Sequence, residues 1–138
     1  ILRLPLVIGK KKKQEDIINY FYNKLSKNEN ITLYENGKYL RNVVHCSQVT
    51  NLIHKIVSKN SFMKRLNIFH VNSSDLVSVK DICNYMKLKI GSFSKIKSLN
   101  KKVHSDFDSM LLVNSLKLKG YREVPIKKSI DLYIEEYL

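Results

Sequence analysis

The chain enters at once into a nearly unbroken apolar run, Ile1-Leu2-Arg3-Leu4-Pro5-Leu6-Val7-Ile8, that stops at Gly9. A run of this length bounded by a turn residue is the pattern of a strand buried on both faces, and such strands belong to parallel sheets whose two faces are covered by helices. One such strand cannot satisfy its backbone alone and needs neighbours. With the run beginning at residue 1, the expectation is a piece of a larger protein whose earlier strands precede Ile1.

The rest of the chain alternates strand and helix signals. Lys10 to Lys13 read as a solvated charged link. Gln14 to Lys27 reads as a helix, with Ile17, Ile18, Phe21, Tyr22 and Leu25 at helical spacing. Ile31 to Tyr34 is a short strand, Glu35-Asn36-Gly37-Lys38 holds an Asn-Gly turn pair, and Tyr39 to Cys46 is a second β-rich run, so the three predict a hairpin-like unit. Ser47 opens a helix to about Ser58, with Val49, Leu52, Ile53, Ile56 and Val57 as its apolar stripe. Leu66 to Val71 is a strand, and Val77 to Asp81 leads into a helix capped by Ser78, with Asp81 three residues on and Gly91 as the stop. Ser92 to Asp108 is polar and carries no clear period. Met110 to Val113 reads as a strand and Asn114 to Lys119 as a brief helix. Ile126 to Leu138 is a terminal amphipathic helix with Ile130, Tyr133, Ile134 and Tyr137 inward.

Composition bounds the function classes. The 138 residues carry 25 Lys+Arg against 12 Asp+Glu, a net charge of +13, with 43% hydrophobic and 27% charged residues, which is a globular rather than a disordered balance. Cys46 and Cys83 are too few for a disulfide scaffold or, by themselves, a four-ligand zinc site. The apolar runs are far shorter than a membrane span. A protein of the cytoplasm, with no membrane partner, is expected. The positive charge invites a polyanion as partner, but Arg3, Arg41, Arg65 and Arg122 are the only arginines, and alanine is absent while Lys, Asn and Ile abound, a skew of the kind that AT-rich coding also produces. Nucleic acid is therefore not the expected partner.

Four stretches, in order, resemble the C-terminal part of NAD(P)-dependent nucleotide-sugar epimerases and dehydratases of the extended short-chain dehydrogenase/reductase family. Leu2-Arg3-Leu4-Pro5-Leu6-Val7-Ile8-Gly9 is similar to the family's late strand L-R-x-x-x-V-Y-G. Ile31-Thr32-Leu33-Tyr34, Gly37 and Arg41-Asn42-Val43-Val44-His45 resemble I-x-V-Y-G-x-G-x-x-x-R-D-F-V-H-V-x-D. Phe69 to Lys80 resembles Y-N-V-G-S-G-x-x-V-S-V-K. Asn114 to Tyr121 with Pro125-Ile126 and the last helix resembles the closing D-x-S-K-x-x-x-L-G-W stretch.

The resemblance implies an α/β fold: the end of a Rossmann-type parallel sheet, with its following helix, over residues 1–30, and a small mixed α/β substrate-binding lobe over 31–138. It implies a parent enzyme, an epimerase, dehydratase or reductase and possible homodimer, whose NAD or NADP is held mainly by an N-terminal domain that these residues do not include. The substrate would be a nucleotide-diphosphate sugar. The chain carries no Gly-rich dinucleotide loop, and its Tyr20 precedes Lys24 at Tyr-x-x-x-Lys spacing but in the wrong place, so it is expected to be catalytically incomplete alone.

Site residues follow from the same resemblance. Arg41 matches the arginine that salt-bridges the substrate diphosphate, a role that suits a planar fork of donors. Leu33 and Tyr34 match positions at the nucleobase. Leu6 falls near the sugar and Pro5 near the nicotinamide, and Lys102, with Lys101 beside it, falls where a second phosphate-binding cation is common. The departures are Leu6 for Asn or Ser, Asn42 and Gln48 for acids, Asn72 and Ser74 for glycines, and Tyr121 for Trp. Among the histidines, His45 matches a packing position, and His54, His70 and His104 show no metal-ligand spacing. The rival class is a non-enzymatic basic α/β module for RNA or another polyanion, against which stand the scarcity of arginine and the absence of aromatic-interleaved basic strands.

Overall fold

The computed structural model describes residues 1–10, 16–58, 69–101 and 121–137. The expected strand Met110 to Val113 and helix Asn114 to Lys119 lie outside these residues, as do Lys102 and His104.

The elements run β1 (Leu2–Arg3), β2 (Leu6–Ile8), α1 (Ile17–Ser26), β3 (Ile31–Tyr34), a 3-10 turn (Glu35–Gly37), β4 (Leu40–Arg41), β5 (Val43–His45), α2 (Cys46–Ser58), β6 (Phe69–His70), β7 (Val77–Ser78), α3 (Val79–Ile90), β8 (Ile96–Leu99) and α4 (Ile126–Glu135). Three strand pairs are parallel: β1 with β6, β2 with β5 and β3 with β8. The fourth, β4 with β7, is antiparallel, Leu40 facing Ser78 and Arg41 facing Val77. The mixed α/β class expected from the alternation is what is observed.

The opening run departs from its expectation. Pro5 has no N–H to give a ladder, and the run divides there into β1 and β2, which pair with different strands. Ile1 and Leu4 are exposed, and within β2 only Ile8 is buried. The strand buried on both faces is β5 instead. Val43 joins a core built from α1, α3 and α4, while Val44, pointing the other way, joins a second core with Leu52, Phe69 and Val71. Alternation along one fully buried strand thus separates two helical layers.

The expected hairpin does not form. The Asn-Gly segment does turn, with Glu35, Asn36 and Gly37 all at positive φ, but β3 leaves it to pair in parallel with β8 in register Ile31 to Ile96 through Tyr34 to Leu99. β8 falls in the segment from 92 to 108 that showed no period, because its own side chains are mostly exposed. Its placement comes from outside: Asn28 Oδ1 accepts from the Phe93 N–H at 2.8 Å, and Asn30 Oδ1 from the Lys95 N–H at 3.1 Å.

The helices follow their apolar spacing with adjustments. α1 is capped by Asp16, whose Oδ1 accepts from the N–H groups of Ile18 and Asn19. α3 carries the expected capping box, Ser78 Oγ accepting from the Asp81 N–H at 3.0 Å, and ends at Gly91 with φ +71°. α2 begins at Cys46 and is narrower inward than its sequence stripe: Ile53 and Val57 are exposed, while Leu52 and the polar Gln48 are buried. Gln48 Nε2 donates to Ser129 Oγ of α4 at 2.6 Å, which satisfies the amide nitrogen, while Oε1 is buried without a hydrogen-bond partner among the described residues. α4 buries Ile126, Ser129, Ile130, Tyr133 and Ile134 at helical spacing and stops at Glu135, short of the expected Leu138.

Candidate functional site

Arg41 closes β4, half-buried, with its guanidinium 5.7 Å from the centre of the Tyr39 ring. The backbone around it is fixed from three directions. Val77 faces Arg41 across the antiparallel pair, the Val79 N–H donates to the Tyr39 carbonyl at 2.9 Å, and Asn42 Oδ1 accepts from the Ser73 N–H at 2.9 Å. Among the described residues Arg41 makes no ion pair with a carboxylate. The acids on the facing segment are committed elsewhere: Asp81 belongs to the capping box of α3, and Asp75 Oδ1 accepts from the Ile126 N–H at 2.8 Å. Asn42, which stands where the family pattern has an acid, adds no charge, so the guanidinium keeps its full field.

Leu6 faces Val43 at the first position of the β2–β5 register, and Pro5 is one residue before it. Pro5, Leu6, Arg41 and Asn42 therefore lie at the same N-terminal end of two parallel neighbours. Leu6 is half-buried and packs on the main core. Tyr34 ends β3 opposite Leu99 and is exposed. The Leu33 side chain is buried in the core, with the residue 4% exposed, so a contact at this position would come from its backbone. The turn after Tyr34 and the Arg41 strand both meet the first turn of α3: a Cβ at Gly37 would lie 2.9 Å from Lys80 Cβ, and β4 pairs with the strand that leads into the helix. Lys101 is exposed just past β8, and Lys102 lies outside the described residues.

The departures from the family pattern also find a place. Asn72 and Ser74 both keep negative φ, so that segment has no need of glycine at either position. Tyr121, in place of Trp, packs against the second core.

Tyr-x-x-x-Lys spacing recurs at Tyr34 and Lys38, across the turn after β3, and at Tyr85 and Lys89 on α3; the α3 pair lies on one helix. Its groups are turned toward each other and toward α4: the Tyr85 hydroxyl donates to Asp131 Oδ1 at 2.8 Å, and Lys89 Nζ lies 3.2 Å from the same oxygen. Burial and the Asp131 hydrogen bond push the Tyr85 phenol up, the opposite of what a proton-exchanging tyrosine near neutral pH requires. The pair is a helix-to-helix clasp.

The described residues do not make a dinucleotide-phosphate cradle. Gly9 does follow a strand, but a Cβ there would meet Cys46 Sγ at 2.8 Å, so the room that glycine leaves is taken by a thiol of the protein itself. That thiol lies beside His45 and Glu136, three metal-competent groups brought together from distant parts of the chain, which no local spacing announces.

No protein-family model matches the sequence, and no curated protein matches it. Solved structures do. A UDP-glucose 4-epimerase of Thermotoga maritima, solved with UDP-glucose, superposes with TM-score 0.77 at 16% identity over 99% of this chain and 44% of that one. A UDP-N-acetylglucosamine 4-epimerase of Methanobrevibacter ruminantium M1 gives TM-score 0.75 at 12% identity over 99% and 44% of the two chains. A dTDP-glucose 4,6-dehydratase of Bacillus anthracis, solved in complex with NAD, gives 0.75 at 14% over 99% and 43%. No described helix is long and apolar enough to cross a membrane. The resemblance is thus borne out in the fold: the chain has the fold of a portion of a nucleotide-sugar epimerase or dehydratase and spans about 44% of the length of such a chain.

Proposed function

We propose that the chain is the nucleotide-diphosphate-sugar-binding portion of an NAD(P)-dependent sugar epimerase, dehydratase or reductase. The observation that carries this reading is Arg41: a half-buried guanidinium, held by β4 and backed by Tyr39, with no carboxylate partner among the described residues. Burying part of a cation without neutralising it is costly unless an anion arrives, and a diphosphate offers the paired oxygens that an arginine fork accepts. Tyr34 is exposed and available to lie against a base, while Leu33 contributes its backbone. Pro5 and Leu6, at the same strand ends as Arg41, would border the sugar and the nicotinamide. Lys102 would add a second cation toward phosphate.

In this reading the chain's own task is placement. Fixing the diphosphate on Arg41 sets where the sugar ring can reach, which is an orientational contribution to rate. The dinucleotide supplies hydride exchange when bound and would be held mainly by residues other than these, with Pro5 bordering the nicotinamide, since the room at Gly9 is filled by Cys46.

Titration of the purified chain with UDP-glucose, followed by phosphorus NMR, tests the reading. Broadening of the diphosphate resonances that disappears in Arg41→Ala and weakens in Arg41→Lys is the expected outcome. Binding unchanged by Arg41→Ala removes the assigned role. The net charge of +13 favours one other reading, a polyanion-binding module, and salt-sensitive binding of single-stranded RNA without any response to UDP-glucose would establish that instead.

A further inference from the structure

β5 ends at His45, α2 begins at Cys46, and Glu136 follows the last residue of α4, which packs on β5. His45 Nε2 lies 3.2 Å from Glu136 Oε1, Cys46 Sγ lies 4.0 Å from the same Nε2, and the three donor atoms fall within 4.8 Å of one another. The surroundings hold each donor in place. The β2–β5 register sets Ile8 beside His45, so Gly9 runs alongside Cys46, and a Cβ at Gly9 would lie 2.8 Å from Cys46 Sγ, so glycine leaves the thiol its room. The Lys10 N–H donates to Glu136 Oε2 at 2.5 Å and Lys10 Nζ to the Glu136 carbonyl at 2.7 Å, which leaves Oε1 toward His45. The His45 side chain is 6% exposed, and its other nitrogen, Nδ1, lies 2.8 Å from Ser47 Oγ and accepts from the Ser47 N–H at 3.3 Å.

We propose that His45 Nε2, Cys46 Sγ and Glu136 Oε1 form a site for one zinc ion, with three protein ligands and one position open to water. An imidazole nitrogen, a thiolate and a carboxylate are the donor types that zinc takes, and the sulfur selects against calcium and magnesium. The balance is simple. On metal binding the imidazole proton moves from Nε2 to Nδ1 and is donated to Ser47 Oγ, which replaces the hydrogen bond that Nδ1 otherwise accepts from the Ser47 N–H, and the Cys46 thiol releases one proton to solvent. The thiolate and the carboxylate then carry two negative charges against the two positive charges of the metal. Ser47 Oγ acts as the outer partner that orients the ring and can accept the Nδ1 proton. The bound ion would fasten the end of α4 to the junction of β5 and α2, joining segments from opposite ends of the described chain.

Cobalt titration of the purified chain reads the site directly, because a thiolate on tetrahedral cobalt gives a near-ultraviolet charge-transfer band. The expected result is a band that saturates at one cobalt per chain, is erased by added zinc, is lost in Cys46→Ser, and needs about tenfold more metal in Ser47→Ala. Glu136→Gln weakens binding at least as much. His45→Gln empties a buried position and can unfold the chain, so the exposed Cys46 and the half-exposed Glu136 carry the test, with circular dichroism confirming that each variant is folded. No band in the wild-type chain, a band that survives Cys46→Ser, or unchanged affinity in Glu136→Gln overturns the proposal.

Discussion

Asp75 caps a helix that begins far downstream: its Oδ1 accepts the Ile126 N–H at 2.8 Å. The residue in the N-cap position of α4 is Pro125, which makes no side-chain cap. The first orphan donor of the helix is therefore satisfied from the loop between β6 and β7, and the same loop is joined to the residue after β4 through Asn42 and Ser73. Asp75→Ala is expected to destabilise the chain by about 1–2 kcal/mol, the range for loss of a side-chain cap, and Asp75→Asn by less because it keeps an acceptor. Urea midpoints at unchanged m-value measure both.

Gly37 and Gly91 both hold positive φ but differ in what surrounds them. A Cβ at Gly37 would meet Lys80 Cβ at 2.9 Å and Leu33 Cδ1 at 3.1 Å, whereas one at Gly91 would meet nothing within 4 Å. Gly91→Ala should carry only the left-handed strain, about 1 kcal/mol. Gly37→Ala adds the collision and should lose about 2–4 kcal/mol. Equal losses in thermal or chemical denaturation would mean that the turn can shift away from α3.

The two faces of α2 give a contrast of burial. Leu52 is 2% exposed and Val57 is 69% exposed, although both belong to the same apolar stripe in the sequence. Leu52→Ala is expected to cost about 2–5 kcal/mol and Val57→Ala less than about 0.5 kcal/mol. Denaturant titration of the two variants decides it.

Cys83 is fully buried, and burial pushes its thiol from 9.0 up to about 12. The folded state thus holds its proton more tightly than the unfolded state. The stability this confers is complete below pH 9 and is lost as the pH rises toward 12, because only the unfolded chain ionises there. The phenols of Tyr22, Tyr85, Tyr121 and Tyr133 are raised by burial too and act in the same direction. Cys83→Ala should flatten, without abolishing, the fall of stability above pH 9. In the native chain a thiol reagent should label the exposed Cys46 and spare Cys83 until the protein is unfolded.

The features that were legible in advance are those whose cause is local. The capping box of Ser78 and Asp81, the stop at Gly91 and the inward residues Ile130, Tyr133 and Ile134 of α4 each depend on neighbours a few positions away. Arg41 came from an ordered set of motifs, and its backbone setting was beyond any one of them. What failed was whatever depended on a distant partner. The hairpin expected from the Asn-Gly pair gave way to a parallel pair with β8, because Asn28 and Asn30 hold that strand and the sequence of β8 carries no period of its own.

The sequence by itself determined an alternating α/β chain, the faces of its helices and a resemblance in ordered motifs to nucleotide-sugar epimerases and dehydratases, since periodicity, capping and short motifs are written in neighbouring residues. Only the tertiary structure decided which strand is buried on both faces, that the Leu33 side chain belongs to the core, and that His45, Cys46 and Glu136 meet across Gly9. Strand partners and side-chain clusters are chosen by packing and hydrogen bonding between segments far apart in the chain, and no local pattern encodes that choice.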